Sequence, residues 1–194
     1  MTLTAARSTS ELSAVFAREK ATYSMITPAY VRTMAAYNSA MNRRLYEPAS
    51  RLSDAARKED RGAFWGSLHR TLTHILYGDR AWMARFAGWE KPPASLKESA
   101  DWCDDFAELK RLRYDADRRI EEWAAGIDQA WLDQPLVWFS GAANREMTMP
   151  RALLVTHFFN HQTHHRGQAH ALITAAGEKT DDTDLFLVVP EIVA

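Results

Sequence analysis

Apolar residues recur every three or four positions in four long segments of the chain, the spacing that lines one side of an α-helix. The first segment opens at Thr27-Pro28, a hydroxyl cap followed by proline at the first helical position. It carries Tyr30, Met34, Tyr37, Met41 and Leu45 on one side, and Pro48 is expected to end it. Ser53 to Lys58 reads as an extra turn of helix behind a serine cap. The second helix is expected from about Ala63 to Phe86, with Phe64, Leu68, Leu72, Ile75, Trp82 and Phe86 on its apolar face and Gly88 as its stop. Gly88 to Lys97, containing Pro92-Pro93, is a loop.

The third helix shows Trp102, Phe106, Leu109, Ala116, Ile120, Trp123 and Ile127 at helical spacing. Leu132 to Met149 is a long connection, locally extended at Leu136–Phe139, and Pro150 opens a fourth helix that ends at Gly177. Four helices without β-alternation predict an all-α protein, a four-helix bundle with a long connection between helices three and four. Residues 1–24 read as an N-terminal arm or short extra helix, and residues 25–194 as the bundle domain. The apolar run Leu185–Val189 is too short for another long helix and is expected to pack back on the bundle.

Composition narrows the function classes. The chain has 194 residues, 46% hydrophobic and 25% charged, a globular balance long enough for one substantial core. Lys+Arg (24) and Asp+Glu (25) nearly cancel, and no basic stripe is visible, so no nucleic-acid partner is expected. The run Arg111, Arg113, Arg118, Arg119 is interleaved with Asp115, Asp117, Glu121 and Glu122, which reads as a solvated helix face. No segment approaches the ~18 apolar residues that span a bilayer. One cysteine, Cys103, and no apolar leader in Met1–Lys20 point to a cytoplasmic protein without membrane partners. Cys103 itself reads as a small core residue, and the tryptophans, Trp65 among them, as core or interface packing.

The chemistry concentrates in the fourth helix. Five of seven histidines fall between His157 and His170. At about 100° per residue, His157, His161 and His165 form one stripe with Gln168. Leu154, Phe158 and Leu172 share that side, so the stripe is expected to face the bundle interior, with His164 at its edge and His170 toward solvent. A buried polar group without a partner costs roughly 1–3 kcal/mol. A divalent metal removes that cost, because neutral imidazole is a good ligand and two histidines at i and i+4 reach one ion. The plainer reading is a hydrogen-bonded core histidine network. A third ligand must come from another helix. The second offers His69 and His74, both off the centre of its apolar face, so periodicity leaves the two open. Ser67, Gly78 and Ala81 near His74 leave room for a pocket on that side.

At this point the sequence resembles the DinB family. Tyr37-Asn38 with Asn42 is similar to its YNxxxN element. Thr71-Leu72-Thr73-His74-Ile75-Leu76, with Asp79 and Trp82, resembles TLxHIL..D..W. Asn160-His161-Gln162-Thr163-His164-His165-Arg166-Gly167-Gln168 resembles its most specific signature, NHxxHHRGQ, and Ala175-Ala176-Gly177 and Thr183-Asp184-Leu185 resemble the end of the domain. These cover roughly residues 25 to 187. The resemblance implies a DinB-like bundle in which His74, His161 and His165 hold a divalent metal, and a homodimer. It also implies thiol-dependent transfer or isomerisation with a low-molecular-weight thiol such as bacillithiol or mycothiol.

Three histidine ligands would leave a coordination position open, the arrangement of a catalytic ion. Zn and Ni come first as the metal, with Fe and Mn as alternatives, since all accept imidazole. Such an ion would acidify water for hydrolysis or a thiol for transfer. His157 and Gln168 are the candidate catalytic residues, His157 as acid or base and Gln168 as the orienting group. Arg166 projects off the stripe and is expected to be structural, bonding Asp79 or a partner subunit. The function expected is a metal-dependent thiol transferase or hydrolase acting on a small-molecule substrate. The alternative is a non-catalytic metal-binding protein of stress or DNA-damage response.

Overall fold

A computed structural model of the protein describes residues 25–141 and 143–188; the arm expected over 1–24 lies outside the described residues. Helix α1 spans Pro28–Arg51, capped by Thr27, whose hydroxyl accepts from the Tyr30 amide. The helix passes through Pro48 instead of ending there. Pro48 lies in the last turn, where its missing N–H costs one ladder bond, and the buried Tyr46, Pro48 and Ala49 anchor that turn. The short α2, Asp54–Lys58, follows its Ser53 cap as expected.

Helix α3 spans Leu68–Phe86 and so begins later than Ala63. Gly62 and Gly66 both have positive φ, and a bridge pairs Ala63 with Gly66. The chain turns tightly there before Ser67 caps the helix. Phe64 is consequently exposed rather than on the apolar face. After a 3-10 turn at Leu96–Glu98, helix α4 runs Phe106–Gly126 from its Asp105 cap, leaving Trp102 in the preceding connection. A four-residue α5, Gln129–Leu132, precedes an antiparallel hairpin, β1 Pro135–Ser140 and β2 Arg145–Pro150. The extended run of the sequence reading is thus half of a hairpin, paired Trp138 to Met147 and Leu136 to Met149. Helix α6, Arg151–Ala175, completes the bundle.

Helix α1 packs on α4 and α6, and α3 packs on the same two. Chain-consecutive α1 and α3 therefore occupy a diagonal of the all-α bundle. Two apolar clusters fill it. One gathers Val31, Phe86, Ile120, Phe158 and Phe159; the other gathers Leu45, Tyr46, Leu72, Leu76, Leu109 and Ile173. Between them every helix contributes polar side chains. Asn38 and Asn42 come from α1, Asp79 from α3, Arg113 and Asp117 from α4, and Gln162 and Arg166 from α6, all buried.

Arg113 pairs with both Asp79 and Asp117, Asn42 donates to Asp117 at 2.8 Å, and Gln162 donates to Asp79 at 2.6 Å. Arg166 donates to Asn38 and to Gln162. Two carboxylates thus face two guanidiniums at the centre of the molecule. Burial raises the Asp79 and Asp117 carboxyls, and the neighbouring Arg113 opposes that rise.

This layer corrects two expectations. Arg113 and Asp117 belong to the core, while the solvated face is kept by Arg118, Asp115 and Glu122. Arg166 faces the interior and reaches Asp79 through Gln162, not directly. The tail also differs: Leu185, Phe186 and Leu187 are exposed and only Val188 of the described run is buried. Polar contacts hold the segment instead, Tyr37 donating to the Thr183 carbonyl and Arg44 to that of Asp182. Among the described residues no helix is long and apolar enough to cross a membrane.

Candidate metal centre

The histidine stripe of α6 lies at the α3–α6 seam and not along the core line, which Phe158, Gln162, Arg166 and Ala169 occupy. Burial therefore grades along it: His157 is exposed, His161 half-buried and His165 buried. His74 comes from α3. One ligand atom from each of His74, His161 and His165 lies within 4.8 Å of the others. The Nε2 atoms of His74 and His161 are 3.2 Å apart. Imidazole nitrogens around one tetrahedral ion at ~2.0–2.1 Å stand ~3.4 Å from each other, so the His74–His161 pair already has the separation of two ligands on one cation.

Two of the three outer nitrogens that would set ring orientation have a partner. Ser99, fully buried, places its hydroxyl 2.9 Å from His74 Nδ1. The Gln168 side-chain oxygen accepts from His165 Nδ1 at 2.8 Å, which leaves His165 Nε2 with its lone pair for the cluster. Trp65 stacks on His74 at 4.1 Å between centroids and 29° between planes, closing the site from the turn before α3. Burial is the first cause that lowers all three imidazoles. His74 falls to about 4, with His165 adding repulsion, and His161 to about 3, with His165 and His74 adding theirs. His165 is lowered too, the Gln168 bond opposing. The cluster is thus neutral at pH 7, the form that ligates a metal.

Gly78 of α3 faces His161. A Cβ built there would stand 2.8 Å from His161 Cε1 and 3.3 Å from Nδ1. The imidazole therefore occupies the space a side chain would take, and glycine is needed for close approach, not for its backbone freedom.

His69 is buried but turned elsewhere, its Nε2 2.8 Å from the Cys103 carbonyl. That separates the two histidines the periodicity left open. His157 stays outside the cluster, its ring 6.0 Å from that of His161 and 5.3 Å from Trp82. It lines a cleft of ≈ 430 Å³ with His74, His161, Gly78, Ala81 and Trp82. Gln168 acts on His165 and not on the cleft. His170 is half-buried against Thr180, 2.9 Å away, instead of pointing freely to solvent. Cys103 is buried, and burial raises its thiol, so it is no nucleophile.

Ser99 and Trp65 escaped the sequence reading. Ser99 lies in an aperiodic connection, and Trp65 looked like ordinary packing. The hairpin's Trp138 also joins the cleft wall, 6.0 Å from Trp82.

A helical bundle with a three-histidine cluster able to hold a metal ion, open to a cleft on one side, defines the class of protein. The chain matches the DinB family over residues 25–189 and belongs to it. No curated protein matches it.

Proposed function

We propose that His74, His161 and His165 hold one divalent transition-metal ion and that the protein is a metal-dependent enzyme, a thiol transferase or hydrolase. The observation that carries the reading is the convergence of three neutral imidazoles, two of which, His74 and His161, line a cleft. The donor chemistry fits: three nitrogen donors, two of them fixed by hydrogen bonds from the far side of the ring, and a glycine that admits the third. When bound, such an ion supplies Lewis acidity and an open position toward a thiol or water.

The protein's own groups do the rest. Trp82 and Trp138 give the cleft an aromatic wall. His157, its imidazole lowered by partial desolvation in the cleft and so largely neutral at pH 7, accepts a proton from a nucleophile there and returns it to a leaving group. Gln168 and Ser99 hold His165 and His74 in place. The non-catalytic alternative fits an ion enclosed by protein on every side; the cleft beside His161 favours turnover.

The test is a screen of metal-loaded protein. Bacillithiol, mycothiol, glutathione or cysteine is offered with 1-chloro-2,4-dinitrobenzene, and p-nitrophenyl acetate is offered alone. Turnover that His161→Ala abolishes supports the enzyme. Metal binding without turnover in any combination supports the non-catalytic reading.

A further inference from the structure

The cleft holds one charged side chain that the histidine chemistry does not use. Arg85 lies on the wall formed by α3, four residues beyond Ala81 and seven beyond Gly78, so it shares their side of the helix. Its guanidinium is half-buried. Among the described residues it donates once, to the Ala81 carbonyl at 2.8 Å, and it rests over the Trp82 ring at 4.8 Å. No carboxylate pairs with it among the described residues, and no Asp or Glu lines the cleft. A guanidinium has five N–H donors in a fixed fork, so four are left without an acceptor among the described residues. Partial burial of an unpaired cation is unfavourable, and desolvation lowers the Arg85 pKa accordingly. A cation held by stacking, shielded from water and short of acceptors is preorganised for a bidentate anion.

The remaining walls define what carries the anion. Trp82, Trp138 and Tyr77 present aromatic surface, and the cleft volume of ≈ 430 Å³ suits a small molecule. The Arg85 guanidinium folds back to the Ala81 carbonyl, toward Gly78, so the anion sits on the same wall as the histidine end.

We infer that Arg85 is a carboxylate-binding residue and that the substrate is a flat, conjugated or aromatic carboxylate. Its charged end forks onto Arg85, its plane lies along the aromatic wall that Trp82 and Trp138 form, and its reacting atom faces His161. The inference rests on the proposed site for its orientation, but Arg85 and the tryptophans bind a carboxylate whether or not a metal is present.

The experiment uses the full chain with 2-naphthoate as probe and 2-naphthamide as its uncharged match, followed by calorimetry and by quenching of tryptophan fluorescence. Metal content is measured on the same samples. Saturable binding of 2-naphthoate is expected, with the amide at least tenfold weaker. Arg85→Gln should weaken naphthoate at least tenfold while keeping its metal content, and Arg85→Lys should fall in between.

Equal binding of acid and amide, equal binding by wild type and Arg85→Gln, or no binding at all would overturn the inference. Loss of binding in His161→Ala with retention in Arg85→Gln would also overturn it, by placing the carboxylate at the histidines. Arg85-dependent binding by a protein that carries no metal would uphold the anion site and defeat only the metal reading.

Discussion

Gly78→Ala separates the stability of the fold from the integrity of the histidine cluster. Alanine in a helix interior is favoured over glycine by about 1 kcal/mol, and Gly78 sits in the middle of α3. The new Cβ would stand 2.8 Å from His161 Cε1, a contact no real Cβ sustains. In metal-free protein the half-buried His161 ring swings outward on its own χ angles at a cost of about 0.5–1 kcal/mol, so the fold stays level or gains slightly. With metal the ring cannot move without leaving the ion.

Disturbing a group that merely orients a ligand costs 10–100-fold in affinity, so displacing a ligand should cost at least about 100-fold. At a free metal concentration of about 100 times the wild-type Kd, the ion adds about 2.7 kcal/mol to wild type and about 0.4 to the variant. Thermal unfolding with and without metal reads this out. Without metal the variant should melt at or up to about 2 °C above wild type; with metal it should melt below it. A variant that keeps the same offset from wild type in saturating metal would refute the placement of His161 on the ion.

Other outcomes follow from the same geometry. Ser99→Ala frees the far nitrogen of His74 and should weaken metal binding 10–100-fold in a chelator competition, with the circular dichroism of the helices unchanged. Arg113→Leu leaves Asp79 and Asp117 buried without their shared cation, and urea unfolding should show a loss of about 3–5 kcal/mol. Metal-free protein should lose stability on mild acidification. His74 and His161 titrate in the folded state at about 4 and about 3, below the ordinary 6.5, so the unfolded chain takes up protons first as pH falls past 6.5. The loss approaches ~1.4 kcal/mol per pH unit for each histidine between pH 6.5 and those folded values, and urea titrations at pH 7, 6 and 5 measure it.

The four helices were legible because local rules write them. Thr27 and Ser53 cap in sequence, and apolar residues at three- and four-residue spacing mark the buried sides. The i, i+4 pair His161/His165 was legible for the same reason. The third histidine was not, since His69 and His74 are both buried off the centre of the α3 face. What separates them is tertiary: the Cys103 carbonyl satisfies one, and α6 presents histidines to the other.

The polar layer was hidden because its members look exposed when taken one helix at a time. Arg113 and Asp117 sit among surface-type charges, and their partners arrive from three other helices. The same layer misdirected the orientation of α6, where Gln162 and Arg166 hold the core line that an apolar residue would ordinarily announce. In the hairpin, only β1 carries an apolar run. Its partner, Arg145–Pro150, reads as polar connection until Met147 and Met149 are seen to face the same way.

Those layer residues also account for half of the recognised motif. Asn38, Asn42, Asp79 and Arg166 belong to the central network, whereas His74, His161, His165 and Gln168 belong to the cluster. One signature thus encodes both a scaffold and the site it positions.

Elemental analysis of untagged protein, wild type beside His161→Ala, tests the central claim most directly. About one Zn, Ni, Fe or Mn ion per chain in wild type, lost in a variant that remains folded, is the predicted result. A wild-type chain that holds no metal, even after incubation with each of these ions, would contradict the claim and leave the three histidines a hydrogen-bonded cluster.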